Sequence, residues 1–475
     1  MLGRNDSQPA LFQMVDLEAL VPADHRLRKL DAVLDLSFVR EVVAGCYSAG
    51  RGRPSIDPEL VIRMLVLGTL YNLSDRELCE EIGMHVGMRW FCRLNLHDPV
   101  PDHSTLSKLK ERWAEAGVFE TVFDQVVHQC AEAGLVSGRH VSIDGTQVQA
   151  KASMKSLAAL EPKPDIAPAP QTPRDEVPDP AGPADPAPGS GRAKEPQPRG
   201  DWSGHGVKYS NQTHRSTSDP DARLYRKGKG KETRLCYLLH DLIDTKSRVI
   251  LRRKVSRAHA SAERKVALAM LDEVLAKQEA LALPNRPEVA SLDAGYGTGE
   301  FAADVLEREV LPHMPLLAGA APEIVPTWQR RTSNLAQQRR RRERVRQARA
   351  RNRVRELQKR RGYAVSRKLR IRSEHTFAEA KTRHGMDRAR GRGCERVQVQ
   401  ADLVGIVQNL KRLVAFRGRK RCASLQARSR TPVSVRRSSR WARSSAPTRR
   451  RAGTPATKIS AQTSDFFNSL LDGSR

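Results

Sequence analysis

Three acidic residues stand where phosphodiester chemistry could be carried out. In the 475-residue sequence, Asp144 and Asp293 each close a predicted β-strand, and Glu374 lies in a predicted helix further along. Carboxylate oxygens are hard ligands that suit Mg²⁺. Two such ions about 4 Å apart can clamp the attacking and leaving oxygens of an in-line displacement. The three acids are therefore predicted to be catalytic and to bind two Mg²⁺ ions, with Mn²⁺ able to substitute.

The order of the predicted elements explains how these acids could meet. After residue 136 the hydrophobic pattern predicts strand, strand, strand, helix, strand, helix and strand, the last of them within residues 313–320. A mixed sheet of this order brings its first and fourth strands side by side. The carboxylates of Asp144 and Asp293 would then point to one place, and a later helix would add Glu374.

The predicted helix around Glu374 carries cations at helical spacing. Arg370, Glu374 and Lys381 fit the pattern R-x3-E-x6-K. At about 100° per residue, both cations fall within roughly 40° of the acid, so they share its face and suit DNA phosphates. This pattern resembles the third-acid signature of bacterial insertion-sequence DDE transposases, Tyr-Arg-Glu-Lys, although Arg367 stands where that signature has Tyr.

Further segments resemble the same family. VSIDGTQVQAKAS is similar to its first-acid strand and SLDAGYGT to its second. The stretch RGRPSIDPELVIRMLVLGTLYNLSDRELCEEI resembles the helical domain common at the N-termini of these transposases. The resemblance covers residues 10–415 and implies an α/β fold, with a ribonuclease-H-like mixed-sheet core after an all-helical domain. It also implies Mg²⁺ dependence, cutting and joining of double-stranded DNA at terminal inverted repeats, and a homodimer on DNA.

Other acids near the three candidates give alternative assignments. Glu379 lies five residues after Glu374, about 140° around the helix, and is the rival third acid. Asp241 and Asp244, at the end of the second predicted strand, are interpreted as turn residues.

Residues 1–125 are predicted to form a helical, DNA-binding N-terminal domain. Asp57-Pro58-Glu59 has the pattern of a helix start, and Asp102 is placed to begin another helix. Ser74 and Glu77 have the spacing of a capping box. Short helices that carry Arg and Lys can dock in a major groove, but plain helical packing fits the same pattern.

The catalytic core is predicted to span residues 136–415, with two interruptions. Residues 160–204 form a Pro-rich insert that is predicted to be disordered, because residues 160–200 alone hold 12 of the 28 prolines. The second interruption is an Arg-rich segment, residues 329–361. The tail, residues 416–475, is basic and rich in Arg and Ser, and is also predicted to be disordered.

Within the Arg-rich segment, residues 339–361 hold 12 Arg and one Lys against two Glu, a net charge of +11. A run this dense repels itself unless it is neutralised. It could be a helix that forms on DNA or a disordered, solvated segment. In either form it is predicted to bind DNA phosphates, beginning with Arg339, Arg340, Arg341 and Arg342.

The composition favours a polyanionic partner. The formal net charge is +29 and the sequence pI is about 10.4, and each Lys or Arg near a phosphate releases a counterion. The seven cysteines form no CxxC pair, so the sequence predicts neither a disulfide framework nor a zinc site. The most apolar stretch, residues 61–71, is too short to span a bilayer. We therefore expect no membrane partner and a cytoplasmic, nucleoid-associated protein of a bacterium.

Three alternative functions remain open from the sequence. D-x-G-x-G-x-G at residues 293–299 resembles the glycine loop of S-adenosylmethionine-dependent methyltransferases, which would make the protein a DNA methyltransferase. A catalytically inactive, regulatory transposase remnant would bind DNA without cutting it. A nuclease with the same core would cut without joining.

Overall fold

The computed structural model describes residues 16–48, 55–160, 209–226, 230, 232–259, 262–317, 324–327 and 333–429, with side chains described as far as residue 420. The described chain forms two compact units. One comprises the chain up to Leu135 and from Ile406 onward, and the other comprises Val136–Gly405. The predicted Pro-rich insert, apart from Leu160, lies outside the described residues.

The first unit is helical. Its helices before Val136 are α1 (Leu17–Leu20), α2 (Arg26–Asp31), α3 (Val39–Ala44), α4 (Pro58–Leu70), α5 (Asp75–Met84), α6 (Val86–Phe91), α7 (His103–Glu115) and α8 (Val118–Glu132).

The helix starts predicted from the sequence are confirmed by their caps. The Asp57 carboxylate accepts a hydrogen bond from the Glu59 backbone at the start of α4, and Ser74 with Glu77 forms the capping box of α5. These side chains bind backbone N–H groups that have no partner inside the helix. The buried Arg63 of α4 pairs with Asp31 at 2.6 Å, so its charge is compensated inside the helical unit.

The second unit is built on a six-stranded mixed sheet in the order β4-β5-β1-β7-β8, with β6 also paired to β5. A separate two-stranded sheet joins β2 and β3. The strands are β1 (His140–Gln149), β2 (Leu157–Ala159), β3 (His214–Ser216), β4 (Arg223–Tyr225), β5 (Arg234–Asp244), β6 (Ile250–Arg257), β7 (Val289–Ser291) and β8 (Leu311–His313). The helices are α9 (Ala262–Ala276), α10 (Gly299–Glu307), α11 (Leu335–Gln358), α12 (Arg361–Leu369), α13 (Ile371–His384) and α14 (Cys394–Ser429), of which α14 continues into the first unit.

The predicted arrangement around β1 is confirmed. β1 pairs antiparallel with β5 on one side and parallel with β7 on the other. The last strand of the sheet was predicted too late in the sequence, because β8 is Leu311–His313 and not within residues 313–320. β8 extends the sheet by pairing parallel with β7.

The two acids interpreted as turn residues behave differently. Asp244 does shape a turn, since its carboxylate accepts hydrogen bonds from the Ser247 backbone and hydroxyl at 2.8 and 2.6 Å. The interpretation of Asp241 was wrong. Its carboxylate makes two hydrogen bonds, at 2.6 and 2.7 Å, with the guanidinium of Arg253, and both side chains are fully buried. Asp241 and Arg253 face each other directly across β5 and β6.

The Arg-rich segment contains a long helix that packs on the protein itself. α11 lies against α10, with Ala348, Ala350, Val354 and Leu357 buried. Arg346 of α11 forms ion pairs with Asp304 and Glu307 of α10. The expectation of a disordered segment is therefore wrong for Leu335–Gln358, which is helical and packs on α10.

The predicted disordered tail begins as a helix. α14 continues to Ser429, so residues 416–429 are helical. The remainder of the tail, residues 430–475, lies outside the described residues.

Candidate active site

The first two acids meet because of the register between β1 and β7. Ser142 is paired with Ser291 at the last step of this parallel pairing. Two residues further on, the same register sets Asp144 beside Asp293. The sequence predicted that Asp144 closes its strand. This was wrong, because β1 continues to Gln149. β7 instead stops at Ser291, and Asp144 therefore lies where the edge of β1 is left open.

The Asp144 carboxylate is mostly buried, with 14% of its side chain exposed. One oxygen accepts a hydrogen bond from the Gly145 backbone N–H at 2.8 Å. Burial raises the pKa of Asp144 to about 6, and the negative charges of Asp293 and Glu374 add to the rise, against the Gly145 N–H and the Arg370 guanidinium. Asp144 is thus a mostly buried acid whose charged form is disfavoured, and a bound cation would stabilise that form.

Arg370 connects the first acid to the third. It lies at the junction of α12 and α13, with its guanidinium 3.5 Å from an Asp144 oxygen and 3.6 Å from a Glu374 oxygen. The Ser373 hydroxyl donates to the Ser142 hydroxyl at 2.9 Å and fixes α13 against β1. The structure therefore brings Glu374, which is 58% exposed, to the same site as Asp144.

The rival third acid and the second cation lie further along α13. Glu379 approaches His384 on its own helix, with 3.9 Å between the carboxylate and the imidazole. Lys381 donates to the backbone carbonyl of Gln147 at 2.8 Å. Lys381 thus anchors α13 to β1 at Gln147, three residues beyond Asp144, the residue that Arg370 contacts.

The predicted arginines of the basic run lie elsewhere. Arg339, Arg340, Arg341 and Arg342 occupy the first turns of α11. Arg341 and Arg342 line an open groove of about 670 Å³, together with Ala303, Leu306 and Glu307 of α10. The structure places these cations on the α10–α11 surface and not among the three carboxylates.

The donor chemistry of the site suits a divalent metal ion. Asp144, Asp293 and Glu374 offer hard carboxylate oxygens. Burial raises the pKa of Asp144, and the charges of the other two acids add to the rise. Within the parts of the chain that the structure describes, no group of three or more His, Cys, Asp or Glu side chains is arranged to hold a metal ion. The acids therefore fit the ion by chemistry, and their side chains must converge further to bind it.

Two neighbours of the site were missed in the sequence. Glu263 is in the first turn of α9, and the nearby charge of Asp293 adds to the effect of burial in raising its pKa. Tyr296 is in the short 3-10 turn that Asp293 caps. An acid in the first turn of the helix after the third strand was a visible signal, but acids are common there because they favour the helix N-terminus.

The second glycine after Asp293, Gly297, has a packing role. A Cβ atom on Gly297 would lie 2.2 Å from the carbonyl oxygen of Pro315, so only glycine fits. The Gly297 carbonyl also accepts a hydrogen bond from the Leu317 backbone at 3.0 Å. Close contact with the chain after β8 explains the glycine that had suggested a methyltransferase loop.

Two parts of the chain match known protein families. Residues 15–112 match the family described as Transposase domain (DUF772), and residues 201–410 match the family described as Transposase DDE domain. The second match contains Asp293 and Glu374 and begins after β1, which carries Asp144. No solved structure matches the chain. No helix in the described part of the chain is both long and apolar enough to cross a membrane. The chain belongs to the insertion-sequence DDE transposases, and it is an enzyme of DNA transposition.

Proposed function

We propose that Asp144, Asp293 and Glu374 are the catalytic acids of a ribonuclease-H-like core and that they bind two Mg²⁺ ions, for which Mn²⁺ can substitute. The observation that carries this proposal is the convergence of three elements. The β1–β7 register sets Asp144 beside Asp293, and Arg370 joins Asp144 to Glu374 on α13. The transposase DDE family match supplies the reaction class.

When bound, the divalent ions stabilise charge on the attacking and leaving oxygens of the phosphodiester. The chain's own residues hold the reacting groups. β1 and the turn after β7 fix the Asp144 and Asp293 carboxylates at the open sheet edge, and the Ser373–Ser142 hydrogen bond holds α13 beside them. Arg370 compensates Asp144 and Glu374, and its guanidinium is placed to bind a DNA phosphate at the same edge.

Water cuts the element end and frees a 3′-hydroxyl, which then attacks target DNA. We propose that residues 1–125 recognise the terminal inverted repeats and that residues 136–415 contain the catalytic core. A homodimer would hold two element ends together. The working location of such a protein is the nucleoid in the bacterial cytoplasm.

The test is an assay that scores cutting and joining separately. Full-length protein is incubated with Mg²⁺, a labelled duplex that carries the element ends, and a target plasmid. We expect 3′-end cleavage and joined products, and neither product with the Asp293→Asn variant or with EDTA. Cleavage without joined products would identify a nuclease. Tight DNA binding without cleavage would identify an inactive, regulatory protein, and either result would contradict the proposal.

The basic helix α11 is expected to set the salt dependence of DNA binding. Arg339, Arg340 and Arg342 are exposed in its first turns. Replacing all three with Gln should reduce the slope of log K against log salt by about 2 to 3, because each phosphate contact contributes roughly 0.9. Fluorescence anisotropy of an element-end duplex, titrated with protein at KCl concentrations from about 50 to about 300 mM, measures the slope.

Arg346→Gln provides the matched control on the same helix. Arg346 is engaged with Asp304 and Glu307 of α10, so its loss should lower the melting temperature and change the slope by less than about 1. An unchanged slope in the triple variant would contradict the prediction that α11 contacts DNA phosphates.

A further inference from the structure

A fourth carboxylate, that of Glu263, approaches the site from α9. One Glu263 oxygen lies 3.8 Å from the position that a Cβ atom of Gly145 would occupy, and Gly145 follows Asp144 directly. The next residue of α9, Arg264, donates to the backbone carbonyl of Gly295 at 3.4 Å. The first turn of α9 is therefore held between the strand of the first acid and the turn that follows the second acid.

Tyr296 adds an independent observation. Its side chain is 2% exposed, and its hydroxyl has no hydrogen-bond partner among the residues that the structure describes. Burial raises the pKa of Tyr296 well above its usual value, and the charges of Glu263, Asp144 and Asp293 raise it further. A buried hydroxyl without a partner is costly, so a polar ligand or a ligand's water within reach of it would remove that cost.

The space beside Gly145 has a second incomplete polar group. His240, which is fully buried and paired with Gly145 across the sheet, has its Nδ1 atom 3.3 Å from the same Cβ position. Its Nε2 atom contacts the Ser256 hydroxyl at 2.8 Å, whereas Nδ1 has no hydrogen bond within the described chain. Gly145 leaves room here between an imidazole nitrogen and the Glu263 carboxylate.

We propose that Glu263 is a fourth metal-binding carboxylate of the active site, acting with Asp293 on the α9 side and supported by the Tyr296 hydroxyl. The proposal rests on the proposed function, since it concerns the ions assigned to Asp144, Asp293 and Glu374. With four carboxylates, each of the two ions could be bound by two of them. Arg370 compensates the charge of Asp144 and Glu374. On the α9 side, Glu263 lies beside Gly145, and Arg264 binds the carbonyl of Gly295, two residues after Asp293.

The experiment measures metal binding in the absence of catalysis. Free Mn²⁺ is followed by electron paramagnetic resonance during titration of the full-length, DNA-free protein. Glu263→Gln should weaken the affinity at least about tenfold, and Glu263→Asp, which keeps the charge and retracts the carboxylate, should weaken it several-fold. Glu279→Gln removes an exposed acid just beyond the same helix and should leave the affinity unchanged. Melting temperatures establish that each variant is folded.

The outcomes separate this inference from the proposed function. If Asp293→Asn weakens Mn²⁺ binding and Glu263→Gln does not, Glu263 is not a ligand, and the three-acid site stands. If Glu263→Gln weakens binding but Glu263→Asp matches the wild type, Glu263 supplies only charge, and ligation is overturned. If Asp293→Asn also binds as the wild type does, the proposed metal site itself is wrong, and Glu263 falls with it.

Discussion

Glu374→Gln is expected to lower the rate of Mg²⁺-dependent element-end cleavage by about 10²- to 10³-fold, the range found when one preorganised charge-stabilising group is removed. The physical reason is the position of the Glu374 carboxylate beside Asp144. Arg370 links Glu374 to the Asp144 carboxylate through contacts of 3.6 and 3.5 Å. Gln keeps the size of the side chain but loses the negative charge that holds a divalent ion.

Glu379→Gln is the matched control on the same helix. Glu379 lies near His384 and away from the Arg370 bridge, so its replacement should change the cleavage rate by less than about threefold. Single-turnover cleavage of a labelled duplex, at saturating protein, compares the two variants without interference from binding. Loss of cleavage in Glu379→Gln, with Glu374→Gln active, would exchange the two assignments.

Asp144→Asn is expected to make the protein more stable while it abolishes cleavage. The folded structure raises the pKa of Asp144 from 3.8 to about 6, so holding the charged form costs free energy at neutral pH. With a discount for the partly exposed side chain and for the lost attraction to Arg370, the neutral amide should raise the free energy of unfolding by about 2 kcal/mol. The melting temperature in metal-free buffer should rise by roughly 4 to 8 °C.

The stability gained by Asp144→Asn should depend on pH in one direction. An acid whose folded pKa is raised destabilises the protein fully above the folded value, about 6, and no longer does so below the unfolded value, 3.8. The advantage of Asp144→Asn should therefore be full at pH 7 to 8 and should disappear as the pH falls to about 4. Asp387→Asn, at an exposed acid of the same unit, serves as the control. A variant no more stable than the wild type at pH 7.5 would show that Asp144 carries no such penalty.

The sequence predicted the parts of the fold that depend on local pattern. Helix caps such as Ser74 with Glu77 and the neighbouring positions of β1 and β7 were correct. The strands and helices predicted after residue 136 follow the observed order, but the short strands β2, β3 and β4 were missed. Each correct prediction depends on side chains that are close in sequence or on the short connections between successive elements.

The errors occurred where a distant part of the chain decides the outcome. The alternation around Asp144 continues to Gln149, so nothing local reveals that β7 ends early and opens the sheet edge at Asp144. The charge of α11 concealed the small apolar residues that pack on α10. Asp241 could be paired with Arg253 only once the register of β5 and β6 was known.

That buried pair has an evolutionary consequence. Losing either Asp241 or Arg253 alone would leave an uncompensated charge in the core at a cost of about 3 to 5 kcal/mol, whereas replacing both with apolar residues of similar volume can be neutral. The two positions are thus bound by epistasis. As copies of the element diverge, the viable combinations keep both residues or exchange both. A copy that has lost one of them carries a mark of decay outside the three proposed catalytic acids, on the strand that pairs with β1 at Asp144.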